Sequence, residues 1–190
     1  MTGLAAAFST SSPWAGVALF TTNGESLWTA GDLAPHSASA ALPALLSEVL
    51  GSAGATIDDI ELFGADLGPG SFTGVRVGIV FAKVLAYGRR AKVFGATSFD
   101  LIDASGPAFV PSRRGEVLIR IPGEEPYRAP EPPPGAMGYA FGEEGDFPDP
   151  GCFFGLTGAL DLFEPELLLP SYFAEPAIST PKRPYAERRG

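Results

Sequence analysis

Cysteine and histidine are nearly missing, with one of each in 190 residues. A lone Cys152 excludes an internal disulfide. Together, Cys152 and His36 supply too few soft ligands for a structural zinc site. A Ser/His/Asp triad would have to use His36, and no Gly-x-Ser-x-Gly elbow accompanies it, so His36 reads as part of a helix start. Charge is also scarce: 18% of residues are charged against 45% hydrophobic. That balance describes a globular chain, not a disordered one, and hints that some of its surface is covered. Positive charge is scarcest, 13 Lys and Arg against 22 Asp and Glu, for a net charge of −9. Such a chain lacks the cations to neutralise a nucleic-acid backbone by itself. No apolar run approaches the roughly 20 residues needed to span a bilayer. The start, MTGLAAAFSTSSPWAG, has no basic signal-peptide region. The expectation is a cytoplasmic protein with no membrane role.

What is present is punctuated by turns. LAAAF and WAGVALF read as strands around the polar break from Ser9 to Pro13. The Asn-Gly of TTNGES is a hairpin signal leading into SLWTAG. In HSASAALPALLSEVLGSAG, Leu42, Leu45, Leu46, Val49 and Leu50 fall on one helical face. Ser37 is placed to cap that helix, Gly51 or Gly54 to end it, and Pro43 to kink it. Its opposite face carries Ala40, Ala44 and Ser47. IELFGADLG reads as a buried strand, residues 71–87 as a helix and AKVFGAT as another strand. The order β-β-β-α-β-α-β predicts a mixed sheet, a hairpin meander followed by parallel crossovers.

Beyond residue 105 the pattern weakens. PAFVP and GEVLIRI look like strands flanking SRR. PGEEPYRAPEPPPG is too rich in proline for an interior element and reads as a surface loop or edge. GCFFGLTGALDLF suggests a strand and then a short helix, and LLLPSYFAEP a docked final segment. The resulting division is 1–104, 105–180 and a loose tail, 181–190.

GPGSFTGVRVGIVFAK, residues 68–83, poses the main question. A glycine-rich turn between a strand and a helix is where an anion site forms. Yet the P-loop lysine is absent, and Gly68, Gly70 and Gly74 are spaced one residue too long for a dinucleotide fingerprint. A tight turn capped by Ser71 is the simpler reading. The helix itself has Gly74, Gly78 and Ala82 four apart, forming a smooth groove. Its other sides carry Val75, Val77, Ile79, Val80, Phe81, Val84 and Leu85, so it should be covered on more than one side. Either a helix of the same chain or another protein would supply the second cover.

The same stretch closely resembles the signature of the TsaB family, bacterial proteins of tRNA threonylcarbamoyladenosine biosynthesis. LAAAFSTSSPWAGVALF resembles the family's first hairpin, HSASAALPALLSEVL its first helix, SRRGEV its Arg-Arg-Gly-Glu stretch and LPSYFAEP its Pro-x-Tyr ending. VFGATSFDLI follows the signature helix as it does in the family. The resemblance is close over roughly the first 120 residues and thin from there to about residue 167.

It implies an actin/hexokinase/sugar-kinase fold with two ribonuclease-H-like lobes, the second shortened here. It also implies a non-catalytic, glycoprotease-like subunit that activates a TsaD-like enzyme carrying the metal and the transfer chemistry. A TsaE-like ATPase would join through the complex, and tRNA would be reached only through the partner. ATP and metal are then expected on partner subunits and none on this chain alone. The first two helices would form the partner surface, and in isolation a homodimer surface.

The expected interface residues are Ala40, Ala44, Ser47, Gly74, Val75, Gly78, Ile79, Ala82 and Lys83. Arg76, Arg113 and Arg114 are candidates for partner or nucleotide contact. Two departures stand out. Family members commonly have an aspartate where Ser9 stands, and an acid where Pro111 and Ser112 precede the arginines. Asp66, at a strand end beside the glycine turn, is the best remaining acid. Asp58, Asp59 and Glu61 read as a solvated loop. An independent phosphotransferase or peptidase of the same superfamily is the alternative, and ATP or peptide turnover by the pure chain distinguishes the two.

Overall fold

The computed structural model describes residues 3–33, 37–112, 115–142, 144–171 and 173. His36, Arg113, Arg114 and the expected tail 181–190 lie outside the described residues. Three strands run first: β1 (Leu4–Ser9), β2 (Trp14–Thr21) and β3 (Leu27–Leu33). Helix α1 (Ala38–Ala53) leads to β4 (Ile60–Asp66), and α2 (Phe72–Arg89) to β5 (Lys92–Ala96). These strands form one sheet in the order β3-β2-β1-β4-β5. The β1–β2 and β2–β3 pairs are antiparallel, and β1–β4 and β4–β5 are parallel. This is the mixed sheet that the alternation of elements predicts.

A short helix, α3 (Ser98–Ile102), connects to a second sheet of order β8-β7-β6-β9. Its strands are β6 (Ala108–Pro111), β7 (Val117–Arg120), β8 (Tyr127–Ala129) and β9 (Met137–Gly138). The proline-rich stretch thus supplies β8 at the sheet edge, where proline is tolerated.

The expected strand at GCFF is corrected: Pro150–Cys152 form a 3-10 turn and Phe153–Leu156 a one-turn helix, α4. Asp149 explains the change, since its side chain accepts from Gly151 N and starts the turn, with Pro150 in its first position. Helix α3 was not read from the sequence. Its capping box, Thr97 with Asp100 three residues on, was the available signal.

The core has three parts. One lies between the first sheet and α1 and α2, and includes Phe8, Leu19, Leu42, Phe63 and Ile79. A second covers the sheet's other face with Phe20, Phe94, Leu101 and Phe153. A third joins α3 to the second sheet through Phe99, Val110 and Tyr139.

The chain then returns to where it began. Phe163 and Val93 exchange N–H···O bonds of 2.8 and 3.0 Å along the β5 edge. Leu168, 2% exposed, plugs the first core. Ser171 N donates to the Leu67 carbonyl at 2.8 Å. A Lys92–Glu164 ion pair lies over the same return.

Candidate functional site

Two places concentrate the residues singled out by sequence: the turn before α2 and the outer face of α2. Ser71 caps α2, its hydroxyl accepting from Gly74 N at 3.2 Å. Arg90, in the left-handed region at φ 54°, ends the helix, and its N–H returns to the Ala86 and Tyr87 carbonyls. The small residues do not line an open groove. Gly74, Val75, Gly78, Ile79 and Ala82 are all buried. A Cβ on Gly74 would overlap the Thr10 carbonyl oxygen, and one on Gly78 would lie 2.9 Å from Thr10 Oγ1. Thr10 Oγ1 also donates to the Gly74 carbonyl at 2.7 Å.

This face is therefore seated on the chain's own β1–β2 segment, which corrects its placement at a partner. Each glycine costs the helix about 1 kcal/mol relative to alanine. Gly74 is accounted for by close approach of the Thr10 backbone, and Gly78 by close approach of the Thr10 side chain.

The opposite face is the one left to solvent. Phe72, Val80, Val84 and Tyr87 are 48, 56, 62 and 50% exposed. The Arg76 guanidinium lies 3.8 Å from the centroid of the Phe72 ring. With Ser39 of α1, Phe72, Arg76, Val77, Val80 and Val84 line an open groove of about 480 Å³. Ala40, Ala44 and Ser47 are exposed on α1.

Lys83 points towards the returning chain and donates to the Glu166 and Leu168 carbonyls at 3.2 Å each. Next to it, a Tyr87–Glu166 hydrogen bond raises the phenol and lowers the carboxylate from their ordinary values. These ties set Leu167 and Leu169, both 63% exposed, beside the helix.

The turn before α2 closes over Asp66. This carboxylate is 1% exposed at the end of β4. Its Oδ2 accepts from Ser9 Oγ at 2.8 Å and Ser11 Oγ at 2.5 Å. Its Oδ1 accepts from Ser98 Oγ at 2.6 Å and Gly68 N at 2.8 Å. Burial pushes the Asp66 carboxyl up, against the pull of the Ser11, Ser98, Gly68 and Ser9 bonds. Tyr139 reaches this cluster from the second sheet, its hydroxyl 3.5 Å from the Ser11 carbonyl. Burial first, and the Asp66 charge second, push that hydroxyl well above the usual phenol range.

The glycine-rich turn spends its donors inward. Ser71 N goes to the Ser11 carbonyl at 2.6 Å, and Gly68 N to Asp66. Above it, a cavity of about 320 Å³ lies between the two sheets, lined by Ser11, Ser12, Gly70, Ser71, Ser112 and Tyr139. Among the described residues no group of three His, Cys, Asp or Glu side chains is placed to hold a metal ion. Asp58, Asp59 and Glu61 are exposed, with Asp58 paired to Arg89. Asp59 caps its own turn, and the bond from Thr56 N, with help from the Thr56 hydroxyl, lowers its pKa. Ser11, Ser98 and Tyr139 were missed by sequence reasoning.

The fold is α/β, with two mixed sheets flanked by helices in the actin-like arrangement. Residues 32–106 match the family model of TsaD, the tRNA N6-adenosine threonylcarbamoyltransferase. The tRNA threonylcarbamoyladenosine biosynthesis protein TsaB of Escherichia coli (strain K12) is 32% identical over 78 residues. That match covers 38% of this chain and 34% of the E. coli protein, so it spans about a third of that relative's length. Two solved structures from Pseudomonas aeruginosa share the fold at 18% identity. One is an uncharacterized protein with similarity to the peptidase YeaZ, with a TM-score of 0.73 over 90% of this chain and 100% of that one. The other is YeaZ, with a TM-score of 0.70 over 90% and 99%. Over part of its length the chain is thus similar to TsaD and TsaB, and it shares the fold of YeaZ.

Proposed function

We propose that this chain is a non-catalytic subunit of tRNA threonylcarbamoyl modification, docking a TsaD-like enzyme through the outer face of α2. The observation that carries this reading is the row Phe72, Val80, Val84 and Tyr87, 48–62% exposed along one helix. Four large, mostly apolar side chains on one helix face, with Arg76 among them, form the kind of patch that marks an interaction site. Ala40, Ala44 and Ser47 on α1 are small enough to let a partner helix approach beside it. The similarity to TsaD and TsaB supports a TsaD-like partner. A TsaE-like ATPase joins through that partner, ATP and metal sit on the partner subunits, and the same face pairs two copies when the chain is alone.

The alternative, an independent phosphotransferase or peptidase, finds little support in the site. Asp66 is buried with both oxygens engaged, and the turn's Gly68 and Ser71 amides are already hydrogen-bonded within the chain.

Val80→Asp combined with Val84→Asp places two charges where an apolar partner would have to desolvate them. Association with the TsaD-like subunit is expected to be lost in a mixing experiment read by light scattering. Circular dichroism should stay unchanged, since both side chains point outward. Unaltered association would overturn the reading. The lone chain is also expected not to bind tRNA at physiological salt, because a net charge of −9 opposes phosphate neutralisation. Filter binding with and without the partner checks this, and a tight complex with the lone chain would refute it.

A further inference from the structure

We propose that the outer edge of β3 pairs with β3 of a second copy, joining two first sheets into one continuous sheet about a two-fold axis. The two edges of this sheet differ. At β5 the returning chain lies along the edge and Phe163 exchanges two backbone hydrogen bonds with Val93. At β3, among the described residues, no segment does the same. The strand is seven residues long, LWTAGDL, with no proline, no lysine and a single acid. Of the devices that normally blunt an open edge, it carries only the charge of Asp32.

The register makes this edge self-complementary. Thr21 N donates to the Ser26 carbonyl at 3.0 Å, so Thr21 and Ser26 are a hydrogen-bonded pair. Such pairs alternate along an antiparallel ladder. With Leu19 opposite Trp28, Val17 opposite Ala30 and Ala15 opposite Asp32, the N–H and C=O groups of Trp28, Ala30 and Asp32 face β2. Those of Leu27, Thr29, Gly31 and Leu33 face outward. A two-fold axis at Ala30 puts Leu27 of one copy opposite Leu33 of the other, and Thr29 opposite Gly31. Every outward group then meets an outward group, so no backbone donor or acceptor in the strand is left unpaired. The same register brings together two leucines that are otherwise 41 and 60% exposed. Leu–Leu contacts thus close both ends of the ladder, and cross-strand pairs of this kind stabilise a sheet. This surface is separate from the α2 face, so the proposal does not depend on the function proposed above.

The test is a disulfide trap in full-length protein carrying Cys152→Ser. Residues opposite each other in a hydrogen-bonded pair have Cα atoms about 5.5 Å apart, within disulfide reach. Leu27→Cys with Leu33→Cys should form a covalent dimer on mild oxidation, with peptide mapping showing only 27–33 bridges between copies. Either cysteine alone should not cross-link. Thr29→Pro, which removes an outward N–H that β2 does not use, should abolish the cross-link with the monomer still folded, and Leu33→Lys should weaken dimerisation of the cysteine-free protein in which Val80→Asp with Val84→Asp has already removed pairing through α2. Val80→Asp with Val84→Asp should leave the cross-link intact, which separates this contact from pairing through α2. Bridges of 27–27 or 33–33, no cross-link at all, or a cross-link that survives Thr29→Pro would overturn the proposal.

Discussion

Asp66→Ala is expected to destabilise the fold by about 3–5 kcal/mol, since in a closed interior it leaves Ser9 Oγ and Gly68 N without their acceptor and Ser98 and Ser11 with only the 3.2 Å bond between their hydroxyls. Ser9, Ser11, Ser98 and Gly68 all donate to this one carboxylate. At about 2–4 °C per kcal/mol for a chain of this size, the melting temperature should fall by roughly 6–20 °C.

Asp66→Asn should behave differently. Its carbonyl can take the Oδ1 role towards Ser98 and Gly68, and its amide can donate to Ser9 and Ser11 once their hydroxyls rotate. The network is kept and the buried charge is removed. The pH dependence follows from the raised Asp66 pKa. Stability from this group is full below the unfolded value of about 3.9 and is lost as pH rises through the higher folded value. The melting-temperature gap between Asp66→Asn and the parent should therefore open above about pH 4, in favour of the asparagine, and then level off. Other carboxylates titrate alike in both proteins and cancel in the difference. If Asp66→Asn is as damaging as Asp66→Ala, the ionised form is required and this account fails.

Gly74→Val should be almost as costly, for a different reason. The added side chain would meet a backbone carbonyl, Thr10 O, which cannot rotate away as a side chain could. Overpacking of this kind costs about 3 kcal/mol, or roughly 6–12 °C. Gly78→Leu should follow the same course, lowering stability ahead of partner binding, because its neighbour is Thr10 of the same chain. Thermal melts of both variants decide this. A Gly74→Val protein that melts like the parent would mean that α2 does not sit on β1 in the way described.

These sites were only partly visible in the sequence. The strand–helix order of the first sheet was readable because its turns are strongly marked: Asn23-Gly24, the caps at Ser37 and Ser71, and the glycine end of α1. The face of α2 was not readable. Val75 and Ile79 are as apolar as Val80 and Val84, so hydrophobicity alone does not tell the buried side from the exposed one. The glycines did carry the answer, since Gly74 and Gly78 mark where Thr10 packs against the helix. The Asp66 cluster was opaque for another reason. Its serines lie 57, 55 and 32 positions away in the chain, and a serine carries no periodic signal. In the second sheet the strands are two to four residues long, too short for alternation to declare itself.

The return of residues 163–171 to the first sheet bears on how the protein is made. Synthesis completes the strands of the first sheet before Phe163, Leu168 and Ser171 are added. Until they arrive, the β5 edge has no strand beside it and the core between the sheet and α2 has an opening where Leu168 belongs. Domains usually fold in order of emergence. Here an earlier-made sheet is completed by later-made residues, so the nascent chain passes through an interval in which that sheet is finished in sequence and unfinished in structure.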